Sequence, residues 1–404
     1  MAQKPEEGKV LHAGFDTLQV AFEATLEKDV LAELQTKKQE AQRLQQHEIE
    51  VSVNGKAAVL SSTGMKGGYA FQLDFDGETG LIMWLKNSTK KDWSAMVKVR
   101  AGCLAVYGYE GAKEFVYKTL NKVGATVIQE SINRADFAVD IYAPSFKPNP
   151  DCMVAPHKAR FKEFSHIATE RRGRQVESLT VGSMPNRQIC VYEKTKEIKA
   201  KGNEWWFDKW DIEPCEGVWR TEVRAGKEYL KKTGVRTFSH LEAEFQNLAY
   251  VTLDNIRLIN EQQSDSNVTR ATLHYIWLNV RDKIVNWGGW IGKFTGIEPK
   301  RIITEKRERL KVIMHQNICG SIASYASLCG HNPSDISNFI KDLHGEINLH
   351  VVSCKHKVNE TMRRASARYL NVTEKEVVDS EREFAEHCSD RLYKQWLKTL
   401  QAVA

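Results

Sequence analysis

Asn133-Arg134-Ala135-Asp136-Phe137-Ala138-Val139-Asp140-Ile141 is the stretch whose reading decides the fold. It alternates strictly, which is the signature of a β-strand. Ala135, Phe137, Val139 and Ile141 fall on one face, and Arg134, Asp136, Ala138 and Asp140 on the other, because strand side chains repeat with period two. At the rise of a strand, Arg134 and Asp136 lie about 7 Å apart, and Asp136 and Asp140 about 13 Å apart. A divalent metal or a phosphate beside Asp136 explains two carboxylates and a guanidinium on one face. An ordinary half-exposed strand of an antiparallel sheet explains them equally well.

Two later stretches bear on that choice. Leu179-Thr180-Val181-Gly182-Ser183 leads through Met184-Pro185-Asn186 into Arg187-Gln188-Ile189-Cys190-Val191-Tyr192-Glu193-Lys194, with Glu197 shortly after. The second part reads as a strand with Gln188, Cys190, Tyr192 and Lys194 on one side. Val218-Trp219-Arg220-Thr221-Glu222-Val223-Arg224 puts Arg220, Glu222 and Arg224 on one side, and Trp219, Thr221 and Val223 on the other. The expected strands thus bring carboxylates, cations and a tyrosine together.

The order R-x-D-x-x-x-D, T-x-G-S, Y-x-K-x-x-E and R-x-E, over roughly residues 95 to 230, resembles the rolling-circle replication initiators of the plasmid Rep_trans type. It is also similar to the filamentous-phage replication proteins and some relaxases of integrative elements. The resemblance implies a site-specific, metal-dependent DNA nicking enzyme with a tyrosine nucleophile. Tyr192 is then the nucleophile, with Tyr142 and Tyr229 as rivals, and Lys194 and Arg220 are the cations that lower its pKa and orient the phosphate. Asp136 and Glu222 hold the metal, and Asp140 joins them only if a bulge re-aims it. Arg134, Arg171, Arg172, Arg174, Arg187 and Arg224 are the expected DNA contacts. The paired His-hydrophobe-His of other nickases is missing, so carboxylates are the expected ligands, which favours Mg²⁺ or Mn²⁺. The implied partners are DNA, as origin duplex and single strand, and a host helicase; a homodimer is compatible with the pattern.

Composition sets wider bounds. The chain has 404 residues, 42% hydrophobic and 27% charged, which is the balance of a soluble globular protein of two or three domains. Its net charge of +6 is compatible with a nucleic-acid partner. Eight scattered cysteines without a CxxC pair argue against a zinc ribbon. No apolar run has the length of a membrane span and residues 1–11 lack a signal-peptide core, so a bacterial cytoplasm is expected, with a phage, plasmid or integrative element as the source of the gene. There is no P-loop, no G-x-S-x-G elbow and no H-E-x-x-H.

Along the chain, the pattern predicts an α+β fold with an antiparallel-sheet catalytic core over residues 1–258 and an all-helical C-terminal domain over 268–404. Strands are expected at Asp16–Phe22, His47–Val59 with an Asn54-Gly55 turn, Tyr69–Asp76, Leu81–Lys86 and Met96–Tyr107. Helices are expected at Leu26–Gln46, Glu110–Val123 and Ser239–Asn247. The likeness of DTLQVAF (residues 16–22) to DFAVDIY (residues 136–142) suggests a duplicated α+β unit. His157–Arg174 reads as a basic loop that is either solvated or a DNA clamp, and Trp205, Trp206, Phe207 and Trp210 as a flap packed on the core or a base-stacking platform. Beyond residue 268, Ser321–Ile340 is compatible with a helix-turn-helix as well as with a bundle corner, and Thr373 with Glu376 makes a capping box. Two further function classes stay open: a non-catalytic DNA-binding regulator on the same fold, and a metal-dependent phosphodiesterase that uses water.

Overall fold

The computed structural model describes residues 5–156, 158–167, 174–260, 271–286, 297–373, 379 and 382–386, with the backbone alone for 163–167, 174 and 175. Its centre is the pair formed by β1 (Val10–Leu26) and β7 (Ala125–Tyr142), antiparallel along almost their whole length. On the far side of β1 lie β6 (Asp92–Val99), β5 (Leu81–Lys86), β4 (Tyr69–Phe75), β3 (Lys56–Ser61) and β2 (Glu48–Val53), in that order. On the far side of β7 lie β12 (Val218–Gly226), β11 (Arg187–Glu193), β10 (Arg174–Gly182) and β9 (Phe161–Ile167). A two-stranded ribbon, β8 (Met153–Val154) with β13 (Arg257–Leu258), stands apart.

This order is the expected duplication. In each half the chain passes to the sheet edge, β2 or β9, and meanders inwards until the last strand, β6 or β12, pairs with the first, β1 or β7. Each half then runs into a helix: α2 (Ala101–Lys122) after β6, and α5 (Lys227–Lys232) with α6 (Phe238–Asn255) after β12. Between lie α1 (Lys28–Arg43), α3 (Lys194–Lys201) and α4 (Trp205–Trp210). The C-terminal part is helical: α7 (Tyr275–Val285), α8 (Pro299–Leu328), α9 (Ile336–Ser353) and α10 (Lys355–Arg368). The fold is therefore α+β, and no described helix is long and apolar enough to cross a membrane.

The apolar face of Asn133–Ile141 is where the halves join. Phe137 meets Phe15 of β1 edge-on at 5.4 Å between ring centroids, and both pack on Phe245 of α6, at 5.4 Å and 4.9 Å. Tyr109 of α2 closes the group, 5.2 Å from Phe15. Both duplicated helices thus cover one face of the central pair. The Asn54-Gly55 hairpin is as expected, with φ of 47° and 82°, the left-handed pair that a two-residue turn requires.

Some boundaries differ from the sequence reading. The expected strand Met96–Tyr107 ends at Val99, and its second half is the start of α2. Ala101–Tyr109 is apolar at nearly every position and, Ala101 apart, buried throughout, so no 3.6-residue period is visible there. The helix expected at Ser239–Asn247 continues to Asn255. Among the described residues of the basic stretch, Phe161–Ile167 is β9 and Arg174 opens β10, while Arg171 and Arg172 lie outside the described residues, as does Glu376 of the capping box. Trp277 and Ile284 of α7, on the C-terminal side of the expected boundary, are fully buried in the same core as β7.

Phe137→Ala should cost about 3–5 kcal/mol in unfolding free energy, because it is fully buried with the Phe15 and Phe245 rings against it and its removal leaves a void in the core. Urea unfolding followed by circular dichroism checks this, and a cost under about 1 kcal/mol would mean that the two halves are not joined there.

Candidate active site

The opposite face of the central strands carries the polar residues in register. Asp136 of β7 pairs with Arg224 of β12, which pairs with Gln188 of β11. One step on, Ala138, Glu222 and Cys190 line up, and then Asp140, Arg220 and Tyr192. Alternation in three strands therefore delivers Arg134, Asp136, Asp140, Arg220, Glu222, Arg224 and Tyr192 to one face, as expected. Lys194 is not on that strand face: β11 ends at Glu193 and Lys194 begins α3.

Two ion networks form on this face. The deeper one is centred on Arg220, which is wholly buried. Its Nε and Nη2 donate to the two oxygens of Asp140 at 2.6 and 2.7 Å, and Nη1 donates to Asp16 Oδ1 at 2.6 Å. Trp210 Nε1 donates to Asp140 Oδ2 at 3.0 Å, and Trp206 lies 4.3 Å from the guanidinium. Asp140 therefore does not share a site with Asp136 and Glu222: it is fully buried and committed to Arg220. Arg220 in turn is sealed from the cavity, which it does not line. The tryptophans pack, as the flap reading expected, and α4 is the lid over this network.

Asp16 carried no role in the sequence reading. It sits at an irregularity in the β1–β7 pairing, where Phe15 faces Phe137 and Thr17 faces Asp136, leaving Asp16 extra on its strand. Such a bulge re-aims a side chain. Phe15 keeps to the core while Asp16 and Thr17 both line the polar cavity. The one signal for it in the sequence is the likeness of residues 16–22 to 136–142, which aligns Asp16 with Asp136.

The shallower network faces a cavity of about 620 Å³. Arg134 donates from Nε and Nη2 to Asp136 Oδ2 at 2.8 and 2.6 Å. Arg224 donates from Nε to Glu222 Oε2 at 2.7 Å, and its Nε lies 3.9 Å from Asp136 Oδ2. The Tyr192 hydroxyl donates to Glu222 Oε1 at 2.6 Å. Burial pushes the Asp136 carboxyl up to about 6, against the opposing pull of Arg134, and the Glu222 charge adds to the rise. Burial and the Glu222 carboxylate also hold the Tyr192 phenol well above its usual value, so it is a protonated, half-buried donor rather than an exposed phenol. Burial, then the Arg220 charge, lowers the Lys194 ammonium, which pairs with Glu197 and lies 5.9 Å from the Tyr192 ring.

The cavity draws on the whole molecule. Lys98 of β6 and Thr17 of β1 come from the first half of the sheet, and Lys306 and Arg309 from α8 in the helical part. Lys306 bonds Glu78 at 2.7 Å and Arg301 bonds Asp208 at 2.6 Å, which fixes α8 along the cavity wall. Tyr142 and Tyr229, the rival tyrosines, are buried and do not line this cavity. Arg187 points to the other face, onto the Tyr229 ring at 5.2 Å.

No family model and no curated protein matches the chain. Among solved structures, it is similar to the rolling circle replication initiator protein from Geobacillus stearothermophilus, at 18% sequence identity and a TM-score of 0.40, over 68% of this chain and 97% of that one. At that level the likeness is too distant to carry a function across.

Among the described residues, no three His, Cys, Asp or Glu side chains gather as a metal seat. Asp136 and Glu222 remain as a pair of carboxylates on one face; burial raises the Asp136 carboxyl, and the Glu222 charge adds to that rise. A pair is enough for Mg²⁺, which keeps several waters and takes one or two carboxylates together with substrate phosphate.

The Asp136 shift gives a pH dependence. The folded carboxyl titrates near 6 and the unfolded one near 3.9, so the fold takes up this proton first and gains stability as pH falls through that window. Wild type should therefore gain on Asp136→Asn, by on the order of 2 kcal/mol, between pH 7 and pH 4.5 in urea unfolding. A difference that does not change with pH would show that Arg134 wins and the carboxyl stays ionised.

Proposed function

We propose that this chain nicks DNA through Tyr192, forming a 5′-phosphotyrosine and freeing a 3′-OH, as an initiator of rolling-circle replication or a relaxase. The observation that carries the reading is the 2.6 Å hydrogen bond from the Tyr192 hydroxyl to Glu222 Oε1, in a cavity lined by Arg134 and Arg224. A phenol held above its usual pKa is a poor nucleophile unless a base takes its proton during attack. Glu222 is that base. Tyr192 Oη forms a bond to phosphorus as its proton passes to Glu222 Oε1. The bond from phosphorus to the 3′ oxygen breaks, and that oxygen takes a proton from a water that protonated Glu222 reprotonates, so the phenol's proton ends on the 3′-OH. Arg134 and Arg224 turn from their carboxylates toward the phosphate and offset its charge. Resealing runs the same steps backwards, since the phosphodiester energy is kept in the covalent bond.

Asp136 and Glu222 would be the protein ligands of a Mg²⁺ or Mn²⁺ ion, whose contribution when bound is to offset charge on the phosphate. Arg220 supports the site indirectly by fixing β12 against β7, while Lys194 lines the cavity 5.9 Å from the Tyr192 ring, where its charge would orient the phosphate. DNA, a host helicase and a cytoplasmic site of action belong to this same reading.

Tyr192→Phe should bind DNA as wild type does and leave no protein on the 5′ end in a denaturing gel. Glu222→Gln should keep binding and lower the rate of adduct formation by about 10²-fold or more. A Tyr192→Phe variant that still nicks would favour water as nucleophile and a phosphodiesterase. A wild type that binds DNA without nicking it, with Mn²⁺ present, would favour the non-catalytic regulator.

A further inference from the structure

A second cavity, of about 580 Å³, opens at the tip of the β10–β11 hairpin. Lys158, Arg160, Arg187 and Lys232 line it, together with Ser183 and Asn186 of the turn, and no carboxylate is among its described lining residues. This differs from the site above, where Arg134, Arg224 and Lys306 each meet an acid. Lys158, Arg160 and Lys232 make no ion pair among the described residues, and all three are exposed. Four like charges around one concavity repel each other and leave it strongly attractive to an anion.

The cavity is also held in shape. Arg187 is stretched over the Tyr229 ring at 5.2 Å. Gly182 N donates to Arg160 O at 2.8 Å, which ties the segment before β9 to the hairpin. Gly226 N donates to Asn186 O at 2.7 Å, and a Cβ on Gly226 would come within 2.2 Å of Pro185 O, so only glycine lets β12 approach the turn this closely.

Its position relates it to the tyrosine site. Arg187 and Gln188 are consecutive on β11 and point to opposite faces. Gln188 Oε1 accepts from Arg224 Nη1 at 3.1 Å on the side of Tyr192, while Arg187 faces the basic cavity. One strand end thus separates the two sites. We infer that the basic cavity binds the phosphate backbone of the DNA flanking the scissile phosphate, with the strand passing over the hairpin tip from one face of the sheet to the other. This rests on the reading that the chain acts on DNA, and it adds where the strand runs.

The test is a triple variant, Lys158→Gln, Arg160→Gln and Lys232→Gln, whose exposed positions leave the core untouched. Binding of a fluorescein-labelled single-stranded oligonucleotide and of its duplex, from DNA flanking the chain's own gene, is followed by anisotropy across a range of NaCl. The expected result is a plot of log K against log salt that is shallower by roughly two, since each phosphate contact contributes about 0.7–0.9. An unchanged slope overturns the inference. Adduct formation by the wild type separates the two claims. A shallower slope with no adduct supports the basic cavity and removes the nicking reading. An adduct with an unchanged slope does the reverse, and a wild type that binds no DNA removes both.

Discussion

A charge with no access to water holds this site together. Arg220 is wholly buried, and every described contact of its guanidinium is charged or aromatic: Asp140 on β7, Asp16 on β1 and the face of Trp206. Breaking such a cluster by removing one partner is expensive, on the order of 3–5 kcal/mol, because the remaining charge stays buried. The arginine therefore ties β12 to both central strands, and so ties the second half of the sheet to the first. Tyr192 stands next to it in register, and Glu222 one step along the same strand. The position of the phenol relative to its carboxylate follows from this deeper ion cluster.

The duplicated fold adds to that arrangement. Phe15 and Phe137 pack the two halves on the apolar face, and Asp16 and Asp140 join them through Arg220 on the polar face. The second half supplies the tyrosine, both carboxylates and both arginines of the shallow network, while the first half supplies Thr17 and Lys98 to the cavity wall. The halves have thus diverged in chemistry while keeping their topology. The helix α8 closes the cavity with Lys306 and Arg309, so the helical part completes the site as well as following it in the chain.

Much of this was legible because alternation is a local signal. The faces of Asn133–Ile141, of the Tyr192 strand and of the Arg220 strand all follow from period two, and so does the grouping of their ionisable groups. Asp16 was hidden by a bulge, which breaks the period that would have revealed it. The half-burial of Tyr192 and the separation of Asp140 were hidden because they depend on α3 and α4 folding over the sheet, a tertiary event. Ala101–Tyr107 reads as strand from sequence because a nearly fully buried helix has no polar side to give its period away. Lys306 and Arg309 come from far along the chain, where no motif marks them as part of the cavity.

The central claim is chemical: the cut strand is held on one particular oxygen. The most direct measurement is peptide mass mapping of the protein after reaction with Mn²⁺ and supercoiled DNA carrying the neighbourhood of its own gene, followed by nuclease digestion of the DNA. The expected result is a residual nucleotide mass on the peptide containing Tyr192, with fragment ions placing it on that side chain. A nucleotide on Tyr142, Tyr229 or any other residue, or a nick formed with no modified peptide, would contradict it.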